Sequence, residues 1–144
     1  MHVAAVIKRK GSSVVSIAPE RTIGEAANLL TENRIGAVLV MDDNEGIRGI
    51  ISERDIIRAL TKFGADTLNR RVDEVMTRNV QQCSPSDTIA EIMTVMTTRR
   101  FRHLPVVEDG KLLGMISIGD VVKQRLDETE LEVETLRGYV TGQG

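Results

Sequence analysis

The apolar positions in the first half of the chain change their period several times, and each change predicts a different element. A short β-branched run is followed by apolar residues at helical spacing, by a continuous apolar run, by a further predicted strand and by a second helical stretch. In order, these are Val14–Ile17; Ile23, Ala26, Ala27 and Leu30; Ala37–Met41; Ile47–Ile51; and Ile56, Ile57 and Leu60 after Ser52. Pro19 closes the first strand because it cannot continue a ladder. Thr22 and Glu25 have capping-box spacing, with Thr22 as N-cap and Glu25 reaching back.

The second half of the chain repeats this order of strand, helix, strand, strand, helix. The recurring residues are Pro19, Thr22 and Glu25, which return as Pro85, Thr88 and Glu91, and Gly49, Ser52 and Asp55, which return as Gly114, Ser117 and Asp120. The later strands of the second copy are predicted at Leu104–Val107 and Leu112–Ile116. Because a duplication of this size fixes the architecture, we predict an α/β protein of two β-α-β-β-α repeats. Repeat 1 spans 10–63, a linker 64–78, repeat 2 79–126 and a C-terminal helical extension 127–144.

The last predicted helix continues beyond the repeat. Its apolar positions alternate in steps of four and three, which is typical of a coiled-coil seam. They are Val122, Leu126, Thr129, Val133, Leu136 and Val140. A helix that packs back on its own repeat is the alternative, and the sequence does not favour either. Thr141–Gly144 is predicted to be frayed.

Composition narrows the classes of function. Hydrophobic residues make up 41% of the chain and aromatic residues 2%, so the core is aliphatic and a flat ligand would meet aliphatic walls and backbone. Few aromatics argue against a base-stacking platform. A net charge of −2 gives little attraction to nucleic acid or a membrane surface. Lys8–Lys10, the one basic cluster, is predicted to be solvated where the chain approaches its first strand.

The location expected from the sequence is the cytoplasm. Cys83 is the only cysteine, which indicates a reducing compartment, and it occupies the position of Ile17 in repeat 1, so we expect a small core residue. Met1–Arg9 lacks the pattern of a secretory signal, and no apolar run is long enough to span a bilayer.

The strongest candidate for chemistry is the doubled Gly-x-x-Ser-x-x-Asp, at a strand-to-helix junction in each repeat. A helix N-terminus offers unpaired N–H groups to a phosphate, and Ser52 or Ser117 could add a hydroxyl. Asp55 or Asp120 could accept hydrogen bonds from two ribose hydroxyls. Ser-x-x-Asp is also an ordinary helix cap, worth about 1 kcal/mol. For one copy alone capping is favoured; the duplication narrows that difference.

A second candidate pair is Arg34 and Arg100, each at a helix end before a buried strand. A guanidinium there could bind a phosphate with two hydrogen bonds, or it could merely interact with the helix dipole. Taken without the other motif, the dipole interpretation is favoured. His103 lies in the loop after Arg100, at the position of Ala37 in repeat 1, and could contact a base or phosphate or be structural.

Enzymatic chemistry finds little support in the sequence. There is no metal-ligand spacing, no phosphate-binding loop of the Walker type and no G-x-G-x-x-G. No Ser or Cys has a recognisable base partner, since the chain has two histidines and one is His2. We therefore expect a protein that is not an enzyme and holds no metal.

Together these elements resemble a tandem pair of CBS domains, known as a Bateman module. The resemblance covers about residues 10–125 and rests on the β-α-β-β-α repeat, the Pro-x-x-Thr-Ile-x-Glu openings, Leu104–Val107 and the doubled Gly-x-x-Ser-x-x-Asp. Val75–Thr77, just before the second copy, also fits the family. The copies differ at the motif, with Glu53 and Arg54 in one and Ile118 and Gly119 in the other, so the two sites need not be equivalent.

The resemblance implies pseudo-twofold packing of the repeats and two clefts that bind adenosine ligands. AMP, ADP, ATP, S-adenosylmethionine and NAD or NADH are the expected classes. By motif match, the ligand-binding residues would be Asp55 and Asp120 at the ribose; Ser52 and Ser117 near the α-phosphate; Arg34 and Arg100 at phosphates; Ile35, Gly36, Ala37, Phe101, Arg102 and His103 around the base; and Arg54 and Thr77 close by. Lys10–Ser13 and Thr77–Val80 would line the base pocket.

The function so implied is that of a regulatory adenine-nucleotide sensor. It would form a homodimer and act on a separate, unidentified protein, without membrane or nucleic acid. The alternative is a constitutive protein-interaction module whose motif residues only cap helices. A small nucleotide hydrolase is a third and less favoured interpretation.

Overall fold

The computed structural model describes the backbone of residues 1–140 and the side-chain environments of residues 1–138. The predicted frayed end, Thr141–Gly144, and the side chain of Val140 lie outside the described residues. The chain divides into two units, one formed by residues 13–80 and one by residues 1–12 together with 81–144. Each unit contains one of the two repeats.

The elements follow the predicted order, with one additional helix at the N-terminus. They are α1 (Val3–Lys10), β1 (Ser16–Ile17), α2 (Ile23–Asn33), β2 (Ala37–Met41), β3 (Ile47–Ser52), α3 (Glu53–Phe63), 3-10 turns at Gly64–Asn69 and Val72–Glu74, α4 (Ile89–Arg99), β4 (His103–Glu108), β5 (Lys111–Ser117) and α5 (Ile118–Val140). The α/β class and the doubled β-α-β-β-α order are confirmed.

The unit of repeat 1 is built on a three-stranded sheet. β2 lies in the middle, parallel to β1 and antiparallel to β3. β2 is almost wholly buried, as its continuous apolar run predicts for a central strand. Helix α2 packs Ile23, Ala26 and Leu30 into the same core. Val72, from the segment predicted as linker, is fully buried among them, so this segment completes the core of repeat 1.

The unit of repeat 2 keeps the same register with a shorter first strand. β4 and β5 form an antiparallel pair. Cys83 makes a single parallel bridge to Val106, the counterpart of the Ile17–Val40 pair in repeat 1. The predicted first strand of this copy is therefore reduced to one bridge. Cys83 is buried, as expected from its place opposite Ile17, and burial raises the pKa of its thiol to about 12.

The N-terminal segment is a helix, which corrects our expectation of an extended approach to the first strand. Val3 and Val6 on one face of α1 are buried in the core of repeat 2, and Ile7 packs against that core. Lys8–Lys10 forms the last turn of α1. Basic residues are stabilised there by the negative end of the helix dipole.

Two of the expected caps form, with one difference. Thr22 Oγ1 accepts a hydrogen bond from the Glu25 N–H at 3.1 Å, and Thr88 Oγ1 accepts from the Glu91 N–H at 3.1 Å. The carboxylate of Glu25 does not reach back as predicted; it faces the Arg21 guanidinium at 3.5 Å. The caps still fix where α2 and α4 begin.

The apolar stripe of α5 is exposed over its described part. The exposed members are Val122, Leu126, Thr129, Val133 and Leu136. This contradicts the alternative in which the stripe packs back on its own repeat. Buried contacts of α5 are made by other residues of its first turns, such as Val121. Among the described helices, none is long and apolar enough to cross a membrane.

Candidate functional site

Asp55 is held at the junction of β3 and α3 by a complete capping box. Its Oδ2 accepts hydrogen bonds from the Ser52 N–H at 2.9 Å and from the Ser52 hydroxyl at 3.1 Å. In return, Ser52 Oγ accepts from the Asp55 N–H at 3.3 Å. Thr77 donates its hydroxyl to Asp55 Oδ1 at 3.1 Å. The Asp55 side chain is only 5% exposed, so both of its oxygens are occupied inside the unit.

Asp120 occupies the equivalent place between β5 and α5 but has a different partner. Its Oδ2 accepts from the Ser117 N–H at 2.8 Å and the Ser117 hydroxyl at 2.9 Å. The third partner is the ammonium of Lys10, at 2.7 Å. Lys10 also donates to the carbonyl of Met115 at 2.9 Å. The Asp120 side chain is 23% exposed, so this carboxylate is more accessible than Asp55.

The partners of Asp120 decide its charge state. Burial by itself raises the pKa of its carboxyl. The hydrogen bond and charge of Lys10, together with the hydrogen bonds from Ser117, outweigh burial and hold the pKa below its ordinary value. Asp120 is thus an anion at neutral pH and can accept hydrogen bonds from hydroxyl groups.

Another segment of the same unit passes close to each motif glycine. A Cβ on Gly49 would lie 2.7 Å from the Thr77 carbonyl oxygen and 2.9 Å from Met76 Sδ. A Cβ on Gly114 would lie 2.8 Å from Cδ1 of Ile7 in α1. Close approach of these segments is what brings Thr77 to Asp55 and Lys10 to Asp120.

The predicted base-binding segments lie beside the motif serines. Ala37 pairs with Ser52 across β2 and β3, and His103 pairs with Ser117 across β4 and β5. His103 is therefore the first residue of a strand and not part of a loop as predicted, although its equivalence to Ala37 holds. The carbonyls just before these strands also contact the helix starts. Gly36 accepts from the Glu53 N–H at 3.0 Å, and Arg102 accepts from the Ile118 N–H at 2.8 Å.

The two arginines end their helices in the same unusual conformation. Arg34 has φ 54° and ψ 46°, and Arg100 has φ 60° and ψ 27°. The left-handed region at a helix end is normally filled by glycine, since a Cβ is disfavoured there. Both side chains are exposed. Both repeats therefore end this helix with an arginine in the left-handed conformation, and at Arg34 the backbone N–H donates to the carbonyls of Leu30 and Thr31.

Only some of the predicted residues share a cavity. A cavity of about 610 Å³ in the unit of repeat 1 is lined by Ala27, Leu30, Thr31, Arg34, Ile35, Gly36, Glu53, Ile56 and Ile57. Ser52 and Asp55 are not part of its lining, and Arg54 is exposed on the first turn of α3. A second cavity, of about 360 Å³, lies between α4 and α5 and is lined by none of the predicted site residues. Phe101, beside Arg100, packs partly against the core of repeat 2.

Lys10 has a partner that the sequence analysis did not predict. Its basic cluster was expected to be solvated, and Lys10 is exposed, but its ammonium also forms an ion pair with Asp120 at 2.7 Å. The available signal was the spacing of Val3, Val6 and Ile7, which is that of a helix face and which predicts a packed segment. The partner Asp120 lies too far along the chain to be identified from a local pattern.

Comparison with known proteins identifies the family. The CBS domain profile matches residues 4–62 and 72–127, so the chain belongs to the CBS domain family and carries two such domains. It is 31% identical, over 97% of its length and 72% of the relative's, to the CBS domain-containing protein CBSX3, mitochondrial, of Arabidopsis thaliana. The resemblance noted from the sequence is therefore confirmed.

Two solved structures place the fold in the same family. The crystal structure of the CBS-domain containing protein ATU1752 from Agrobacterium tumefaciens has a TM-score of 0.85 and 46% identity, covering 87% of this chain and 99% of that one. The CBS domain pair of protein MJ0100, solved in complex with 5′-methylthioadenosine and S-adenosyl-L-methionine, has a TM-score of 0.77 and 22% identity. It covers 89% of this chain and 98% of that one. At that identity the likeness to MJ0100 concerns the fold.

Proposed function

We propose that the protein is a regulatory module that binds an adenosine nucleotide and acts on a separate protein. The observation that carries the proposal is the doubled strand-to-helix junction, with an aspartate side chain and a serine hydroxyl held together in each copy. Membership in the CBS domain family and the adenosine compounds bound by the CBS pair of MJ0100 support it. AMP, ADP, ATP and NAD or NADH are the ligands that we propose.

The proposed roles follow from the chemistry of each side chain. Asp55 and Asp120 accept hydrogen bonds from the ribose hydroxyls, and Ser52 and Ser117 lie near the α-phosphate. Arg34 and Arg100 supply positive charge to phosphates, a use that would offset the conformational cost of their left-handed backbone. The segments 35–37 and 101–103 contact the base, with Arg54 and Thr77 at the margin. No residue is assigned a catalytic role.

Signalling requires a change that a partner can detect. A ligand shifts an equilibrium only by its difference in affinity for two states. We propose a homodimer as the element that changes, with the exposed apolar stripe of α5 as one of its contact surfaces. The regulated protein is then a separate chain. We also propose that the protein is located in the cytoplasm, because its single cysteine cannot form an internal disulfide, as is usual in a reducing compartment.

A constitutive interaction module is the second candidate, and one observation favours it. In both copies the serine and the aspartate of the motif cap the helix reciprocally, which is a structural role in its own right. Caps of this kind stabilise a helix by about 1 kcal/mol and need no further purpose.

A thermal-shift titration separates the two functions. Purified protein is heated with AMP, ADP, ATP, NAD, NADH or S-adenosylmethionine, each compared with inorganic phosphate. A ligand at 100 times its dissociation constant stabilises the fold by about 2.7 kcal/mol. The variants are Asp55→Ala, Asp120→Ala and the double variant. Asp87→Ala is the matched control, because Asp87 also accepts a backbone hydrogen bond, from Ser84 at 2.8 Å, away from the motif.

The proposed function predicts a shift that the double variant loses and the Asp87 variant keeps. A protein that melts at the same temperature with every nucleotide would be a constitutive interaction module. A shift that survives in the double variant would place the ligand elsewhere.

A further inference from the structure

The side chains of Asp55 and Asp120 differ in how many of their oxygens already accept hydrogen bonds. Asp55 uses one oxygen for Ser52 and the other for the Thr77 hydroxyl. Asp120 gathers Ser117 and Lys10 on Oδ2, and among the described residues its Oδ1 accepts no hydrogen bond. Asp120 therefore has one oxygen without a partner among the described residues, whereas both oxygens of Asp55 already accept a hydrogen bond and its side chain is only 5% exposed.

Lys10 also retains binding capacity. An ammonium has three N–H donors, and Lys10 directs hydrogen bonds to Asp120 at 2.7 Å and to the Met115 carbonyl at 2.9 Å. A third donor is left for a ligand. The side chain is 39% exposed and ends on a flexible four-carbon stem, so the ammonium can reach an anion bound next to Asp120.

The charged residues around the two junctions also differ, and this difference too favours binding of an anion near Asp120. The first residue of α3 is Glu53, which brings a negative charge to the helix start, and the equivalent residue of α5 is the neutral Ile118. Asp55 does have a cation near it, Arg58, but its guanidinium lies 3.7 Å away and is 73% exposed. Because this guanidinium is largely in solvent, its pairing with Asp55 is weak. The Asp120 junction therefore has a closely bound ammonium and no acidic residue at the first position of its helix, whereas the Asp55 junction has Glu53 at that position and no cation within hydrogen-bond distance of Asp55 among the described residues.

We propose that Lys10 makes the Asp120 site selective for adenosine ligands that carry phosphate, and that the Asp55 site lacks this selection. The inference rests on the proposed function and adds to it the class of ligand and the residue that chooses it. The Lys10 ammonium pairs with Asp120 at 2.7 Å. When a nucleotide binds, the ribose takes the remaining oxygen of Asp120 and the ammonium donates to a phosphate oxygen. Adenosine without phosphate gains nothing from Lys10.

The test compares adenosine with AMP by isothermal titration calorimetry at one ionic strength. The variants are Lys10→Gln, which removes the charge, and Lys10→Arg, which keeps it. Lys8→Gln is the matched control, because Lys8 is an exposed lysine in the same last turn of α1. Melting temperatures of all variants are measured first, and Lys10→Met, which also removes the charge, replaces Lys10→Gln if that variant folds poorly.

The measured quantity is the preference, the dissociation constant of adenosine divided by that of AMP. Loss of one charge-assisted hydrogen bond is expected to lower the preference about tenfold in Lys10→Gln. Lys8→Gln should match the wild type, and Lys10→Arg should restore most of the preference. An unchanged preference in Lys10→Gln, or equal weakening of both ligands, would overturn the role of Lys10 and leave the proposed function intact. A wild-type protein that binds neither ligand would overturn both.

Discussion

Replacement of the two motif glycines by alanine tests the crossing of segments over each repeat. At Gly49 the new Cβ would lie 2.7 Å from the Thr77 carbonyl oxygen, well inside contact distance. That carbonyl cannot move freely, because it accepts from the Ile50 N–H at 2.9 Å while the Thr77 N–H donates back to Ile50 at 2.8 Å. At Gly114 the new Cβ meets only Cδ1 of Ile7, at 2.8 Å, and the end of an isoleucine can rotate away.

The expected costs follow from these contacts. Overpacking costs about 1–3 kcal/mol, and a lost backbone hydrogen bond adds roughly 0.5–1.5 kcal/mol. Replacing glycine by alanine within a strand also stabilises the folded state by about 0.5–1 kcal/mol, because glycine loses more conformational freedom on folding. Gly49→Ala should therefore lower the free energy of unfolding by about 2 kcal/mol, and Gly114→Ala should change it by less than about 1 kcal/mol.

Urea denaturation followed by circular dichroism measures both changes. Gly119→Ala is the control, because its Cβ meets no atom closer than Ser117 Oγ at 3.6 Å and its helical site should gain stability from alanine. Two results would refute this account of the contacts at the two glycines. One is a loss of stability in Gly114→Ala as large as that in Gly49→Ala, and the other is an unchanged stability in Gly49→Ala.

Three further predictions use the same denaturation assay. Arg34→Gly should raise the free energy of unfolding by about 0.5–1 kcal/mol, because glycine adopts the left-handed conformation without cost; a decrease would mean that the arginine stabilises the fold. Gln124→Met should also stabilise, by about 1–2 kcal/mol, because the Gln124 Oε1 is buried without a partner among the described residues; a loss would reveal an unseen partner. Asp120 has a depressed pKa in the folded state, so its stabilising effect is present above the ordinary value of about 3.9 and is lost as the pH falls below it. The difference in stability between the wild type and Asp120→Asn should shrink below about pH 4, and a constant difference would contradict the Lys10 ion pair.

Local signals account for the features that the sequence predicted well. The bounds of β2 agree with the apolar run Ala37–Met41, because a central strand is buried on both faces. Thr22, Ser52 and Thr88 begin helices as predicted, because a side-chain oxygen at an N-cap satisfies a backbone N–H within the same few residues. Duplication then extended each prediction to the other half of the chain.

Features that depend on distant partners could not be predicted in this way. The ion pair of Lys10 with Asp120 joins residues 110 positions apart, and the burial of Val72 depends on a core formed by α2 and β2. The left-handed conformation of Arg34 and Arg100 could not be predicted either, because glycine, the residue that usually signals it, is absent from both positions. At the candidate site, the capping of each helix by its motif serine was therefore predictable from a local pattern, whereas the ion pair of Lys10 with Asp120 was not.

The most direct test of the central claim is a titration of the 15N-labelled protein with AMP, followed by the backbone amide signals. The account predicts saturable shifts at the motif amides of at least one repeat, Ser52 and Asp55 or Ser117 and Asp120, and loss of those shifts when the corresponding aspartate is changed to alanine. Absence of shifts at millimolar AMP, or shifts that persist in the aspartate variants, would contradict it.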